Sequence, residues 1–104
     1  MVKAEIEAGV CGLKTEVKAE SAGQGVQLDI NSDCPHIQKI AAELKEVEGM
    51  NEIFTKMDQT KVYQLAKQYC PHVACAVPAG ILKAVEVASG LALPKDVAIK
   101  IIKE

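Results

Sequence analysis

The chain has 104 residues, 49% of them apolar but only 3% aromatic, and a formal net charge of -2 from 14 acidic and 12 basic side chains. Every base is lysine; without the arginine fork that grips phosphate and guanine, and with few rings for stacking, nucleic-acid binding is not expected. A chain of this length reads as one domain, residues 1–104, and no apolar run reaches the ~18 residues that mark a membrane span.

Val2-Lys3-Ala4-Glu5-Ile6-Glu7-Ala8 alternates apolar and charged residues, the period of a half-buried strand. Gly9 and Gly12 bracket Cys11 in a turn, and Leu13 to Glu20 alternates again. Ser21 to Gly25 reads as a hairpin loop and Val26 to Ile30 as a third strand. Together these predict an antiparallel meander with one wet face.

Ile37, Ile40, Ala41, Leu44 and Val47 keep helical spacing, with Gly49 as the stop. Met50 to Met57 is ambiguous; Ile53 and Phe54 are expected to plug the core from a short turn. Val62, Leu65, Ala66 and Tyr69 define a second amphipathic helix, from about Thr60 to Tyr69. Pro78 suits the first turn of a third, which runs to Ser89 with Gly90 as its stop. Asp96 to Ile102 is rich in β-branched residues and predicts a last strand. The order βββ-ααα-β gives an α+β fold, an antiparallel sheet with about three helices on one face. Ile40, Leu44, Val62, Leu65, Ile81, Leu82 and Val85 are expected to pack on Leu28, Ile30, Val97 and Ile99.

Cys-Pro-His occurs twice, as Cys34-Pro35-His36 and Cys70-Pro71-His72, and Cys75 follows the second copy. With Cys11, all four cysteines fall at element ends or in turns. Lys3, Glu5 and Glu7 near the N-terminus argue against a signal peptide, so the expected location is cytoplasmic. In a reducing compartment, thiols serve as metal ligands or redox groups more often than as disulfides. Pro35 at a first helical position makes Cys34 the cap, where the helix dipole favours thiolate. Cys70 ends the second helix and Cys75 lies in the loop before the third. The Cys70-x4-Cys75 spacing is looser than a zinc ribbon's and matches one spacing of plant-type iron–sulfur proteins. Residues two apart in a helical turn do not share a face. His36 and His72 are therefore expected to flank a site rather than ligate in it. No Ser-His-Asp order, phosphate loop, dinucleotide glycine fingerprint or His-Glu-x-x-His is present.

Cys11-Gly12-Leu13-Lys14-Thr15, Ser32-Asp33-Cys34, and His72-Val73-Ala74-Cys75-Ala76-Val77-Pro78 with Ile81 to Glu86 resemble a family of small prokaryotic proteins of unknown function. That family is associated with methanogens and other anaerobes. The resemblance covers nearly the whole chain. It implies that the cysteines matter, and the anaerobic association points toward soft-metal or iron–sulfur chemistry; it implies no reaction.

Three functions follow as expectations. The first is binding of zinc or an iron–sulfur cluster by Cys11, Cys34, Cys70 and Cys75 as thiolates. The second is thiol redox or transfer chemistry, with Cys34 as nucleophile and Cys70 or Cys75 resolving. The third is an interaction module with incidental thiols. A homodimer is compatible with each.

Overall fold

The computed structural model of the chain describes residues 1–104. Its sheet is a four-stranded antiparallel meander in the order β1-β2-β3-β4. The strands are β1 (Val2–Glu7), β2 (Lys14–Ala22), β3 (Gly25–Ser32) and β4 (Glu46–Glu48). The helices are α1 (Pro35–Glu43), α2 (Gly49–Phe54), α3 (Lys61–Tyr69) and α4 (Val77–Ala88), with a short 3-10 turn at Met57–Gln59. The α+β class stands as the sequence implies.

Alternation sets the two faces of the sheet. Val17 and Ala19 of β2 and Val26, Leu28 and Ile30 of β3 are buried under the helices, while Val2, Ala4 and Ile6 of β1 are half-buried. The other face is charged, with Lys3 3.4 Å from Glu16 and Lys18 3.8 Å from the same carboxylate. Exposed pairs of this kind contribute under ~1 kcal/mol each. The sheet is thus held by its apolar face. Ile37, Ile40 and Leu44 of α1, Val62 of α3, and Val77, Ile81 and Val85 of α4 complete that core.

Close backbone approach fixes where α4 lies. A Cβ on Gly80 would collide with the Ile6 side chain, and one on Gly49 would collide with Ser89. The helix therefore crosses the sheet obliquely. Its first turns sit over the end of β1, and Ser89, the residue that caps its C-terminus, lies beside α2 and Val26 of β3.

Four sequence expectations need correction. First, the helix expected to reach Val47 ends at Glu43, and Glu46–Glu48 forms β4. Val47 lies three residues after Leu44, so it fits a helical face and equally the inward position of a polar–apolar–polar strand. The strand prevails because the Lys45 carbonyl accepts the Leu28 N–H at 2.8 Å and Val47 packs in register with Val26. Second, the ambiguous segment is a helix, α2, and Phe54 is exposed rather than a core plug; Ile53 alone is partly buried.

Third, Asp96 to Ile102 is not a strand of this sheet. Residues 93–104 are all exposed, and no backbone hydrogen bond involves residues 92–104. Val97 and Ile99 are accordingly absent from the core, at 68% and 78% exposure. The place beside β3 is taken by β4, and α4 closes with a turn that directs the chain away. The Gly90 N–H bonds the Val87 carbonyl and the Leu91 N–H the Glu86 carbonyl, with Gly90 at φ 75°. That is the paired hydrogen-bond pattern of a glycine-terminated helix. Fourth, Leu82 and Leu65 are only partly buried and pack at the rim of the core, whereas Ile81 is fully buried.

Candidate functional site

Sheet register brings the cysteine-bearing turns to one end of the domain. Ile6 pairs with Thr15 and Thr15 with Ser32, so the β1–β2 turn holding Cys11 lies beside the end of β3. The Asp33 N–H bonds the Lys14 carbonyl at 3.0 Å, and the Lys14 N–H reaches the Asp33 carboxylate at 3.3 Å. Cys34 follows at once. Because Gly80 rests on Ile6, the start of α4 is at this same end, and Cys75 lies two residues before it.

Each segment is shaped by local chemistry. Cys34 is the N-cap residue of α1, extended at φ -86° and ψ 123°, with Pro35 in the first turn. Its side chain makes no capping hydrogen bond; its backbone N–H is held by the Ser32 hydroxyl at 3.0 Å. Cys70 is the C-cap of α3, its N–H bonded to the Ala66 carbonyl at 2.8 Å. The Tyr69 hydroxyl donates to the Glu43 carboxylate and ties this end of α3 to α1. The Cys70 thiol donates to the His72 carbonyl at 3.6 Å, and the Cys75 N–H bonds that same carbonyl at 3.1 Å. One carbonyl thus pins both residues of the Cys70–Cys75 turn.

Cys34, Cys70 and Cys75 are partly buried thiols, in no disulfide, packed against the core. Burial pushes the Cys75 thiol above its ordinary value of 9.0; the charges of Cys70 and Cys34 and a hydrogen bond with Cys70 add to the rise, against an opposing bond from the Val77 N–H. Three thiols, from the start of α1 and the α3–α4 connection, are therefore near enough for the charges of two to bear on the third. The two Cys-Pro-His copies also face each other, with the His36 and His72 rings 6.5 Å apart between centroids and nearly perpendicular. Cys11 is at the same end but exposed. No group of three or more His, Cys, Asp or Glu side chains is arranged to hold a metal ion. A cleft of about 770 Å³ lies by β4 and α2 and is lined by Glu46, Glu48, Asn51 and Lys61 among others; no cysteine borders it.

Sequence reasoning missed Glu52. It is 7% exposed, and its two carboxylate oxygens accept the Lys61 and Val62 N–H groups at 2.9 and 2.8 Å. With the Thr60 hydroxyl accepting from Tyr63 at 3.0 Å, the first three amides of α3 are all satisfied. An isolated Glu in an ambiguous segment carries no signal of this role, because its partners lie nine and ten residues on.

A match to a family model covers residues 2–101. The chain belongs to DUF6951, a family of unknown function. That assignment accords with the resemblance read from the cysteine motifs, at the level of a family without a described activity. No curated protein and no solved structure matches the chain. No helix is long and apolar enough to cross a membrane.

The titrating groups of this DUF6951 member predict alkaline sensitivity. Cys75 is raised above 9.0 by burial, Tyr69 above 10.0 by its hydrogen bond to Glu43, and Lys3 above 10.5 by its bond to Glu5. A pKa higher in the folded chain contributes stability below the unfolded value, and that contribution is lost as pH rises through the folded value. Thermal melts of metal-free protein should hold steady at neutral pH and fall above about pH 9. A melting temperature that rises there would contradict the assigned interactions.

Proposed function

We propose that Cys34, Cys70 and Cys75 bind zinc or an iron–sulfur cluster as thiolates, with Cys11 as the fourth ligand and His36 and His72 flanking the site. The observation behind this reading is that three free thiols, from the start of α1 and the α3–α4 connection, pack against one core, where the charges of two oppose ionisation of the third. A soft cation removes that opposition, because it replaces the protons and pairs with all the thiolates at once. Binding draws the sulfurs toward one point, at about 2.3 Å from a zinc ion. Rotation of the cysteine side chains and movement of the turn between Gly9 and Gly12 supply that convergence. The two glycines, at φ 103° and 70°, give this turn its shape. The reading places the protein in the cytoplasm, where thiols stay reduced.

The test is metal and acid-labile sulfide analysis, with an absorption spectrum, on protein purified without oxygen. The expected result is about one zinc ion or one cluster per chain, as a four-thiolate site holds. It should be lost in Cys34→Ser, Cys70→Ser and Cys75→Ser and weakened in Cys11→Ser. Protein that stays metal-free after reconstitution with zinc, and with iron plus sulfide, ends the metal reading.

A second reading is favoured by the packing of Cys34, Cys70 and Cys75 as free thiols against one core. In it Cys34 is the nucleophile, and Cys70 or Cys75 resolves a mixed disulfide made there by attacking the Cys34 sulfur, which forms a disulfide with Cys34 and releases the bound thiol. Metal-free protein that on mild oxidation yields a disulfide between Cys34 and Cys70 or Cys75, mapped by mass spectrometry, would replace the first reading with this one.

A further inference from the structure

The chain leaves two elements unsatisfied at once. One is the outer edge of β1, which has no strand beyond it. The other is the segment after α4, where Val97, Ile99, Ile101 and Ile102 are 66–90% exposed and no backbone group is bonded. Exposed edges and exposed β-branched runs are both prone to recruit a strand. The family match extends to residue 101, so the segment is part of the domain that DUF6951 members share.

We propose that residues 96–102 add to the β1 edge of a second copy of this chain, and that the exchange is reciprocal. The other edge is a poor acceptor: β4 is three residues long, and its Glu46 carbonyl is taken by the Lys61 ammonium at 3.2 Å. Chemistry matches the segment to β1. An antiparallel register with Ile99 opposite Ile6 puts Ile101 opposite Ala4, and both cover apolar side chains that are only half-buried in the single chain. The same register sets Lys100 opposite Glu5. The outward row of β1, Lys3, Glu5 and Glu7, sums to -1, and Lys100, the one base of residues 96–102, falls on the matching row. Within one chain the two elements do not meet: residues 93–104 are all exposed and make no backbone hydrogen bond, and the chain leaves α4 at Ser89, beside Gly49. A two-fold exchange satisfies both in both copies and closes, so it stops at the dimer.

Sedimentation velocity of the full chain over a concentration series tests this, together with hydrogen exchange of residues 97–101. The expected result is a dimer with those amides protected. Ile99→Asp with Ile101→Asp should weaken association about tenfold or more, while leaving the melting temperature of the single chain unchanged, since both side chains are solvent-exposed there. Glu5→Lys should weaken it about twofold to fivefold, and adding Lys100→Glu should restore it. A monomer overturns the proposal, with the segment either free or protected against its own sheet. So does a dimer that survives the double substitution, or one in which residues 97–101 exchange freely.

Discussion

Replacing Ile81 with alanine should destabilise the protein by about 2–5 kcal/mol, as loss of a large side chain from a closed core does. Ile81 has 0% exposure and sits in the middle of α4, whose neighbours Val77, Ala84 and Val85 are also buried. Its cavity cannot collapse easily, because Gly80 already holds the helix against Ile6. Leu82→Ala is the internal control. Leu82 is partly exposed beside Tyr63 and Lys83, so its truncation should cost less than half as much. Urea unfolding of the two variants gives the comparison. Equal losses would mean that α4 is rotated from the orientation described.

Glu52→Ala should cost about 2–4 kcal/mol, although Glu52 is a charged residue outside any apolar stripe. Its carboxylate is the acceptor for two α3 amides, and alanine leaves both without a partner in a site that is 93% covered. Unsatisfied buried donors are more costly than the net value of the bonds they replace. Glu52→Gln keeps one oxygen acceptor and should recover part of the loss. Because α3 ends at Cys70, the alanine variant should also loosen the Cys70–Cys75 turn, read as faster alkylation of both thiols. A variant as stable as the parent would show that water caps α3 equally well.

The strands of the meander were legible because period-two alternation leaves little choice when one face is buried. β1, β2 and β3 follow from Val2 to Ile30 almost residue by residue. β4 was not, since Val47 fits both the helical face after Leu44 and the inward position of Glu46-Val47-Glu48, and only pairing with β3 decides between them. The segment from Asp96 to Ile102 has strand propensity, but propensity does not supply an edge to pair with. At the candidate site, the position of each cysteine at an element end was readable from proline and glycine punctuation. How closely they approach one another depends on how α1, α3 and α4 pack across the sheet, which position at an element end does not give. The facing of His36 and His72 was likewise hidden. Spacing within one Cys-Pro-His says nothing of the approach of the other copy.

Thiol protection on metal loading tests the central claim most directly. Metal-free, fully reduced protein is alkylated with an isotopic reagent, with and without one equivalent of zinc, and each cysteine is quantified by mass spectrometry. Without metal, exposed Cys11 should react first. With zinc, Cys34, Cys70 and Cys75 should lose reactivity together, with Cys11 joining them, since one ion draws on all four thiolates. Zinc that protects no cysteine, or Cys11 alone, or Cys75 without Cys34, would contradict a shared site.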